Sequence, residues 1–470
     1  MSKTRIEQDS MGSMEVPFDA LYGASTQRAL LNFPISGYRF SRPFIRALGL
    51  IKWAAAEANL ELDKLNERDA TLIAHAAREV IDGKLDDHFP LDVFQTGSGT
   101  STNMNANEVI SNRCCQLAGT PIASKDPVHP NDHVNMGQSS NDVIPSAIHI
   151  AVGESIRHQL MPALESLDAA LERKSMEFWD VIKIGRTHLM DATPVRLGQE
   201  FSGYAKQVEL ARLRAGNAIA AIEELALGGT AVGTGLNCHP DFSGLVMHHL
   251  WNCTGITFRE ARNHFEAQSA QDGLVQASGQ IKTIAVSLFK IANDIRWLSS
   301  GPRCGIGEIS LPATQPGSSI MPGKVNPVMS EMLMQVCAQV IGNDAAITWG
   351  GANGNFQLNT MMPMMAHNLL ESIRLLSNAV DTFRSRCVEG ITANRERCNE
   401  LVEQSMAMVT SLVPTIGYDR AAEIAKESAA TGRTIRQICV EQNILPEAEL
   451  AKALDPVEMT KPGGSGVVGG

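Results

Sequence analysis

The chain has 470 residues and a formal net charge of −11, and 44% of its residues are hydrophobic while only 5% are aromatic. A chain of this length buries a large core and forms two or three domains. The acidic balance argues against nucleic acid and anionic membrane surfaces as partners, although it does not exclude a local basic pocket for an acidic substrate. The many aliphatic side chains favour helices that pack through aliphatic ridges.

The nine cysteines include no Cys-x-x-Cys spacing, which argues against a zinc or iron–sulfur site, and their odd number argues against a complete disulfide framework. We therefore expect reduced thiols and no metal or other cofactor. No apolar run reaches the length of a membrane span, and residues 1–15 lack the apolar core of a signal peptide. These features predict a cytoplasmic protein that does not associate with a membrane.

The first 138 residues predict a small helical N-terminal domain. Gly, Pro and Ser positions between residues 5 and 28 indicate an extended, loop-rich entry segment. Apolar residues then recur with helical spacing after Pro43 and again from Ala70 to Ile81.

Two polar stretches follow these helices. In residues 97–108 (GSGTSTNMNANE), small residues let the backbone approach a ligand and the hydroxyls can orient water or a carboxylate, although a turn into a capped helix explains them equally. In residues 129–133 (HPNDH), Pro130 interrupts the helix that would place both histidines on one face, so we expect a polar turn and no metal site.

Two further polar stretches adjoin long helices. Residues 138–142 (QSSND) are typical of the cap of a helix that we expect from about Val143 to Glu177, and a helix start rich in donors is also an anion site. Residues 183–194 predict a polar loop that contains His188. A lone histidine is more often structural than catalytic, but histidine is also the commonest general acid–base group.

Long amphipathic spans dominate the centre of the chain. Apolar residues recur with helical spacing over residues 196–227, 263–300, 327–349 and 363–388. With the helix after Ser140 they predict a bundle of five long helices within a central domain of residues 139–390. The glycine-rich residues 228–235 lack the Gly-Lys-Ser/Thr end of a P-loop and predict an inter-helix loop. Residues 391–470 predict a small helical C-terminal domain with a flexible tail from Pro462.

The stretch GSSIMPGKVNP, residues 317–327, is a loop that ends at a helix start. Asn326 has the side chain of an N-cap, and Pro327 suits the first helical position. Lys324 precedes a helix N-terminus, which favours an anion, and the hydroxyls of Ser318 and Ser319 add donors. The stretch therefore predicts a carboxylate or phosphate cradle, while a solvated capped turn with a surface lysine is the alternative.

Taken whole, GSSIMPGKVNP resembles the signature loop of the fumarase/aspartase superfamily, and the other polar stretches resemble those of class II fumarases from Arg5 to about Cys439. The resemblance implies an all-α fold of three domains and a homotetramer around a shared core of long helices, with active sites built from different subunits. It also implies reversible anti addition of water to fumarate, which gives (S)-malate through an aci-carboxylate in the tricarboxylic acid cycle.

The resemblance also implies roles for individual residues. Ser318 is the candidate base, His188 is its acid–base partner acting on water, and Glu331 is the carboxylate that would polarise His188. The other residues that match substrate-binding positions are Ser98, Gly99, Thr100, Ser139, Ser140, Asn141, Thr187, Ser319, Lys324, Val325 and Asn326. A second dicarboxylate site matches His129, Pro130, Asn131 and Asp132.

The chain departs from the family pattern at two positions. Ser25 stands where the family leads us to expect glutamine, and Asp126 stands where we expect a basic residue beside the second dicarboxylate site. We therefore expect an anion to bind weakly at that second site.

Two other functions fit parts of the pattern. Aspartases share the fold and the loop but have Thr-Gln where this chain has Thr187-His188, so His188 favours water over ammonia chemistry. A helical relative without catalysis is the second alternative, as the lens crystallins related to argininosuccinate lyase illustrate. Because every candidate active-site residue is present, we expect an enzyme.

Overall fold

The computed structural model describes residues 3–463 and is mostly helical, which confirms the predicted all-α class. The chain divides into two compact units. Unit 1 comprises Met1–Pro162, Arg212–Ala285 and Val336–Ser377, and unit 2 comprises Ala163–Ala211, Val286–Gln335 and Asn378–Gly470. Most of the predicted flexible tail, residues 464–470, lies outside the described residues. The three-domain division at residues 138 and 390 stays a prediction.

The α-helices are, in chain order, α1 (Ala24–Asn32), α2 (Arg42–Glu61), α3 (Glu67–Ile81), α4 (Thr100–Ala118), α5 (Ser140–Ser155), α6 (Met161–Glu177), α7 (Leu197–Ala220), α8 (Phe242–Thr254), α9 (His264–Ser269), α10 (Asp272–Leu298), α11 (Val328–Gly351), α12 (Met362–Arg386), α13 (Arg395–Gln404), α14 (Val413–Ile416), α15 (Tyr418–Thr431), α16 (Ile435–Glu441) and α17 (Glu447–Ala453). The long spans predicted from the sequence are thus helices.

The strands are β1 (Thr4–Asp9), β2 (Gly12–Pro17), β3 (Ile182–Thr187), β4 (Met190–Arg196), β5 (Glu224–Leu225), β6 (Arg259–Glu260), β7 (Ile309–Ser310), β8 (Gly354–Asn355), β9 (Leu358–Asn359) and β10 (Thr392–Ala393). All form two-stranded sheets: β1–β2, β3–β4, β7–β10 and β8–β9 are antiparallel, and β5–β6 is parallel. None of them is large enough to form a core layer.

The core of unit 1 is built on α2. Its buried face includes Phe44, Leu48 and Ile51, and the missing side chain of Gly49 lets α3 approach, since a Cβ there would lie 3.1 Å from the backbone nitrogen of Ile81. The Asn66 side chain accepts a hydrogen bond from the Asp69 backbone and caps α3. These contacts produce the helical N-terminal region that the sequence predicted.

In unit 2 a separate core forms around the β3–β4 hairpin. Ile182 and Ile184 of β3 cluster with buried side chains of the C-terminal helices, among them Leu412, Ile424 and Ile438. Burial of this apolar surface attaches the C-terminal helices to the hairpin.

The long helices within each unit are also joined by polar contacts. In unit 1, Ser278 and Lys282 of α10 donate to the carboxylate of Asp344 on α11, and Asn343 of α11 donates to Ser372 of α12 at 3.0 Å. In unit 2, the Tyr204 hydroxyl of α7 donates to Asp294 of α10 at 3.2 Å. Such pairs fix the register of neighbouring helices.

Four local predictions differ from the structure. The entry segment is a β-hairpin followed by α1, and residues 183–194 form the β3–β4 hairpin because Gly185 allows a bulge that keeps the strands paired. The helix expected over 143–177 contains a π-helical turn, Ile156–Leu160, between α5 and α6. The helix expected over 263–300 is interrupted at Gln271, whose φ is +60°.

Within residues 3–463, no helix combines the length and the apolar character that crossing a membrane requires.

Gly198, at the start of α7, provides a test of packing in unit 2. A Cβ at Gly198 would lie 2.4 Å from the carbonyl oxygen of Ser175 and 2.8 Å from Cα of Trp179, whereas a Cβ at Gly203 of the same helix meets nothing within 4 Å. We expect Gly198→Ala to lower the free energy of unfolding by about 2 kcal/mol or more, because backbone must move. Gly203→Ala should be neutral or stabilising by up to about 1 kcal/mol. Urea unfolding of both variants checks this, and equal midpoints would contradict the packing argument.

Candidate functional site

A polar cavity of about 450 Å³ lies in unit 1. It is bounded by the first turns of α4 and α5, the turn that precedes α5, and the loop after β5. Its polar lining residues are Thr100, Asn103, Asn107, Asn131, Asn135, Gln138, Ser139, Ser140, Thr230 and Asn237. The cavity therefore offers hydroxyl and amide donors to a small polar ligand.

The first turn of α4 carries one group of predicted ligand residues. Gly99 precedes the helix with a φ of +72°, which glycine adopts without strain, and the hydroxyls of Ser98 and Thr100 lie 2.7 Å apart. Gly97 is required by close packing, because a Cβ there would lie 1.8 Å from the Thr360 carbonyl oxygen. Thr100 thus lines the cavity at a helix start that is closely packed against the rest of unit 1.

The first turn of α5 carries the second group. Ser139 and Asp142 form a capping box: the Ser139 hydroxyl accepts from the Asn141 backbone at 3.2 Å, and Asp142 accepts from the Ser139 backbone at 2.9 Å. The Asn141 side chain donates to the Ala231 carbonyl at 2.8 Å. The predicted cap is therefore present, and it also holds the loop that closes one side of the cavity.

Asp142 is fully buried and joins α5 to that loop. Its second carboxylate oxygen accepts from the backbone nitrogens of Gly228, at 3.1 Å, and Thr230, at 2.8 Å. Burial raises the pKa of Asp142 to about 6, and the backbone donors oppose that rise. The sequence analysis recognised Asp142 only as part of a cap.

Lys52 of α2 is also fully buried, below the cavity lining. Its ammonium group donates to the side-chain oxygens of Asn135 and Gln138, both at 2.9 Å. The Asn135 oxygen also accepts from the amide of Asn103, which in turn donates to the Ser140 hydroxyl oxygen at 3.0 Å. Burial lowers the pKa of Lys52 to about 7, while the charge of Asp142 raises it.

The chain of contacts from Lys52 has a fixed polarity. The ammonium form of Lys52 has no acceptor, so both amides turn their oxygens toward it. Asn103 then donates to Ser140, which leaves the Ser140 hydroxyl hydrogen free to donate into the cavity. Asn103 and Gln138 belong to polar stretches that the sequence predicts, but Lys52 and Asn135 were not predicted, although a lysine inside the apolar run of α2 is a detectable signal.

The turn predicted as a second anion site is a short π-helical turn, Pro130–Val134, with Pro130 at its first position. The Nδ1 atom of His129 accepts from the backbone nitrogens of Asn131 and Asp132, both at 3.2 Å, and burial lowers the pKa of His129. The backbone nitrogen of His129 in turn donates to Nδ1 of His133. Asn131 also lines the 450 Å³ cavity.

In unit 2, His188 occupies the tip of the β3–β4 hairpin. His188 and Leu189 have φ values of +56° and +62° between the paired residues Thr187 and Met190. Two left-handed residues are typical of a tight two-residue hairpin turn. Thr187 and His188 are exposed, so the turn presents the imidazole outward from its own chain.

The loop of residues 317–327 also lies in unit 2. The Ser318 hydroxyl oxygen accepts from the backbone nitrogens of Ile320, at 3.2 Å, and Met321, at 3.0 Å. The Gly317 backbone donates to the Lys324 carbonyl at 2.9 Å, and a Cβ at Gly317 would lie 2.1 Å from that oxygen. The loop thus closes on itself and leaves the Lys324 side chain exposed.

The expectation that Asn326 caps the next helix needs correction. Its amide donates to the Gly317 carbonyl at 2.6 Å, and α11 begins two residues later, at Val328. The Pro327 carbonyl accepts the first helical hydrogen bond, from Glu331. Asn326 therefore closes the loop, while Ser319 and Val325 are exposed.

The structure brings some predicted residues together and leaves others apart. Thr100, Ser139, Ser140 and Asn131 line one cavity. Among the described residues of unit 2, no hydrogen bond or ion pair joins His188 to Glu331 or to the loop of residues 317–327. The described residues also contain no group of three or more His, Cys, Asp or Glu side chains that could hold a metal ion.

Comparisons with known proteins agree along nearly the whole chain. Residues 12–342 match a lyase family, and residues 408–461 match the fumarase C C-terminus. A class II fumarate hydratase of Caulobacter vibrioides is 52% identical over 98% of this chain and 100% of its own length. One from Halobacterium salinarum is 55% identical over 98% of this chain and 97% of its own length.

Two solved structures are similar as well. Class II fumarase from Schistosoma mansoni has a TM-score of 0.95 and 39% identity, covering 98% of this chain and 100% of that one. A fumarate lyase:delta crystallin from Brucella melitensis, bound to cobalt, has a TM-score of 0.94 and 46% identity, with the same coverage.

The buried charge of Lys52 gives a stability that depends on pH. Its pKa of about 7 lies below the ordinary value of 10.5, so between these pH values the unfolded chain binds more protons than the folded one. The free energy of unfolding should therefore rise with pH across this window, by up to about 1.4 kcal/mol per pH unit, relative to a Lys52→Met variant. Urea unfolding of both proteins from pH 6.5 to 9.5 measures the difference. A constant difference would show that Lys52 keeps an ordinary pKa.

Proposed function

Because the chain belongs to the class II fumarases of the fumarase/aspartase superfamily, we propose that it is a fumarate hydratase that interconverts fumarate and (S)-malate. The observation that carries the proposal is His188 at the exposed tip of the β3–β4 hairpin, beside Thr187. Histidine is the commonest general acid–base group in proteins, which suits proton transfer to and from water. The hydroxyl and amide cavity of unit 1 supplies donors for a small dicarboxylate.

The demanding step is removal of a carbon-bound proton. In the malate direction a base takes a proton from the carbon next to a carboxylate, and the electron pair moves into that carboxylate to form a doubly charged aci-carboxylate. The electron pair held in the aci-carboxylate then returns to form the double bond of fumarate while the C–O bond breaks. The departing hydroxide carries the C–O electrons, takes a proton and leaves as water. The enzyme must stabilise the extra negative charge of the intermediate.

Ser318 is the proposed base. An isolated serine hydroxyl is far too weak a base, but the backbone nitrogens of Ile320 and Met321 both donate to its oxygen. Two such donors would stabilise the negative charge of an alkoxide at this oxygen. Lys324 and Asn326 lie on the same loop, and we assign them to the carboxylate that takes up the charge.

His188 is the proposed acid that protonates the departing hydroxide. Since His188 and Glu331 make no contact within the described part of one chain, we assign their pairing to two different subunits. Ser98, Gly99, Thr100, Ser139, Ser140 and Asn141 are proposed to bind the substrate and to orient the water. Thr187, Ser319 and Val325 complete the proposed substrate contacts.

We propose a homotetramer with shared sites. Large apolar side chains are exposed on the long helices, including Leu213 of α7, Trp297 of α10 and Trp349 of α11. Exposed apolar surface of this kind is typical of an interface. The candidate groups also belong to two units of the chain, and a symmetric oligomer can combine groups from separate chains in one site.

Two further assignments stay proposals. The turn of residues 129–132 is retained as a second dicarboxylate site, weakened by Asp126, whose charge repels an anion. The cytoplasm is the proposed compartment, which agrees with nine cysteines that are all free thiols.

The reaction is tested directly with purified protein. We expect fumarate and (S)-malate to interconvert, without detectable ammonia release from aspartate, because an acid acting on water is built around His188. The absorbance of fumarate reports both assays, and EDTA should leave the rate unchanged. Ammonia release comparable with malate turnover would instead favour aspartase, the alternative within the superfamily. A rate that is lost in EDTA and restored by iron would contradict the cofactor-free mechanism.

The shared site is tested by mixing two inactive variants. His188→Asn and Ser318→Ala, unfolded together in equal amounts and refolded, should regain roughly a quarter of wild-type activity if each site takes these two residues from different subunits. Each variant refolded alone is the control. Hybrid tetramers that form but stay inactive would place both residues in one chain's site.

A further inference from the structure

A largely buried group of charges in unit 2 contacts the strand that leads to the His188 turn. Glu308 is 0% exposed, and its carboxylate accepts two hydrogen bonds from the Arg186 guanidinium, at 2.9 and 3.0 Å. The ammonium group of Lys183, itself 1% exposed, lies 3.2 Å from Glu308 and 3.2 Å from Glu200. Two cations and two anions thus form a group without net charge.

This group of charges holds the β3–β4 hairpin in place, because Arg186 and Lys183 both belong to β3. Arg186 is two residues before His188 and follows the bulge at Gly185, where a Cβ would lie 2.6 Å from the Thr193 carbonyl oxygen. A bulge redirects the following side chain, and here it turns Arg186 toward Glu308. The bidentate contact then fixes both the position and the direction of the strand that ends at the turn.

The backbone of Glu308 is fixed as firmly as its side chain. Its nitrogen donates to the Leu298 carbonyl at the end of α10, and its carbonyl accepts from the Asn394 backbone, both at 2.9 Å. The next two residues form β7, which pairs with β10. Glu308 therefore connects the catalytic hairpin to α10 and to the C-terminal segment.

Stability alone does not account for such an arrangement. Buried ion pairs contribute little net stability, because removing charges from water costs about as much as their attraction returns, and well-packed apolar residues often serve better. What a bidentate contact to a fully buried carboxylate supplies is a fixed geometry. A displacement of about 1 Å at a catalytic group can reduce the rate by about 100-fold.

We propose that Glu308 is a positioning residue for His188. Through Arg186 and Lys183 it holds the hairpin turn in the position and orientation in which the imidazole exchanges a proton with water. This inference rests on the proposed hydratase function. Glu308 does not contact the reacting atoms, and it acts only through the hairpin.

A double-mutant cycle tests the proposal. Glu308→Gln keeps the size of the side chain but removes its charge, and we expect kcat to fall by about tenfold or more, with KM within about twofold. In a His188→Asn background the same change should alter the residual kcat by less than about twofold, because there is no longer an imidazole to position. An equal loss in both backgrounds would make Glu308 a general structural residue and overturn the proposal.

Two controls accompany the cycle. Asp294→Asn removes a partly buried carboxylate of unit 2 that contacts Lys290 and Tyr204. Among the described residues it has no hydrogen bond or ion pair with the hairpin, so the change should leave kcat unchanged. If Glu308→Gln does not fold, Arg186→Lys takes its place in the cycle, since it keeps the charge and loses the bidentate contact. We expect the loss of kcat in Arg186→Lys to depend on His188 in the same way as the loss in Glu308→Gln.

Hydrogen–deuterium exchange separates this proposal from the function on which it rests. In Glu308→Gln, residues 186–190 should exchange faster than in the wild type, while α4 should exchange at an unchanged rate. This readout needs no turnover. A wild-type protein that does not hydrate fumarate would refute the proposed function, and unchanged exchange in the hairpin would refute the positioning role independently.

Discussion

A carboxylate that is removed from water must be surrounded by donors, and this requirement shapes both units of the protein. In unit 1, Asp142 accepts from three backbone nitrogens and so ties the start of α5 to the loop after β5. In unit 2, Glu308 accepts from Arg186 and lies beside Lys183. Each carboxylate therefore fixes a segment that presents candidate ligand-binding groups, and the cost of burying the charge is offset only when that segment is in place.

In each unit, the candidate groups are presented by backbone geometry. Helix starts at α4 and α5, a hairpin tip at His188 and a closed loop at Ser318 all expose groups that regular structure would pair internally. In unit 1, the Lys52 ammonium group only donates hydrogen bonds, so it determines which way the neighbouring amides of Asn135 and Gln138 point. Donors of this kind suit an anion that is held by many neutral groups and few formal charges, which agrees with a local anion site on an acidic protein.

The Ser318 loop illustrates how a weak base could act. Its hydroxyl oxygen already accepts from two backbone nitrogens within the loop, so the donors that would stabilise an alkoxide are part of the local fold. The loop is closed by the contact of Asn326 with Gly317, and it leaves Lys324 exposed toward solvent in the single chain. In the proposed homotetramer, a neighbouring subunit that covers this surface would remove water from it and strengthen each of these interactions.

The sequence by itself determined the helical class, the long helices and the polar stretches, because helical periodicity and the residues that cap helices or form turns are local properties. It also predicted His188 and the loop of residues 317–327 through their resemblance to a family. Only the tertiary structure identified Lys52, Asp142 and Glu308 as buried charges with specific partners, and only it showed that Asn326 closes a loop. Glu308 and Arg186 are 122 residues apart in the chain, and no local pattern encodes a contact between positions so distant.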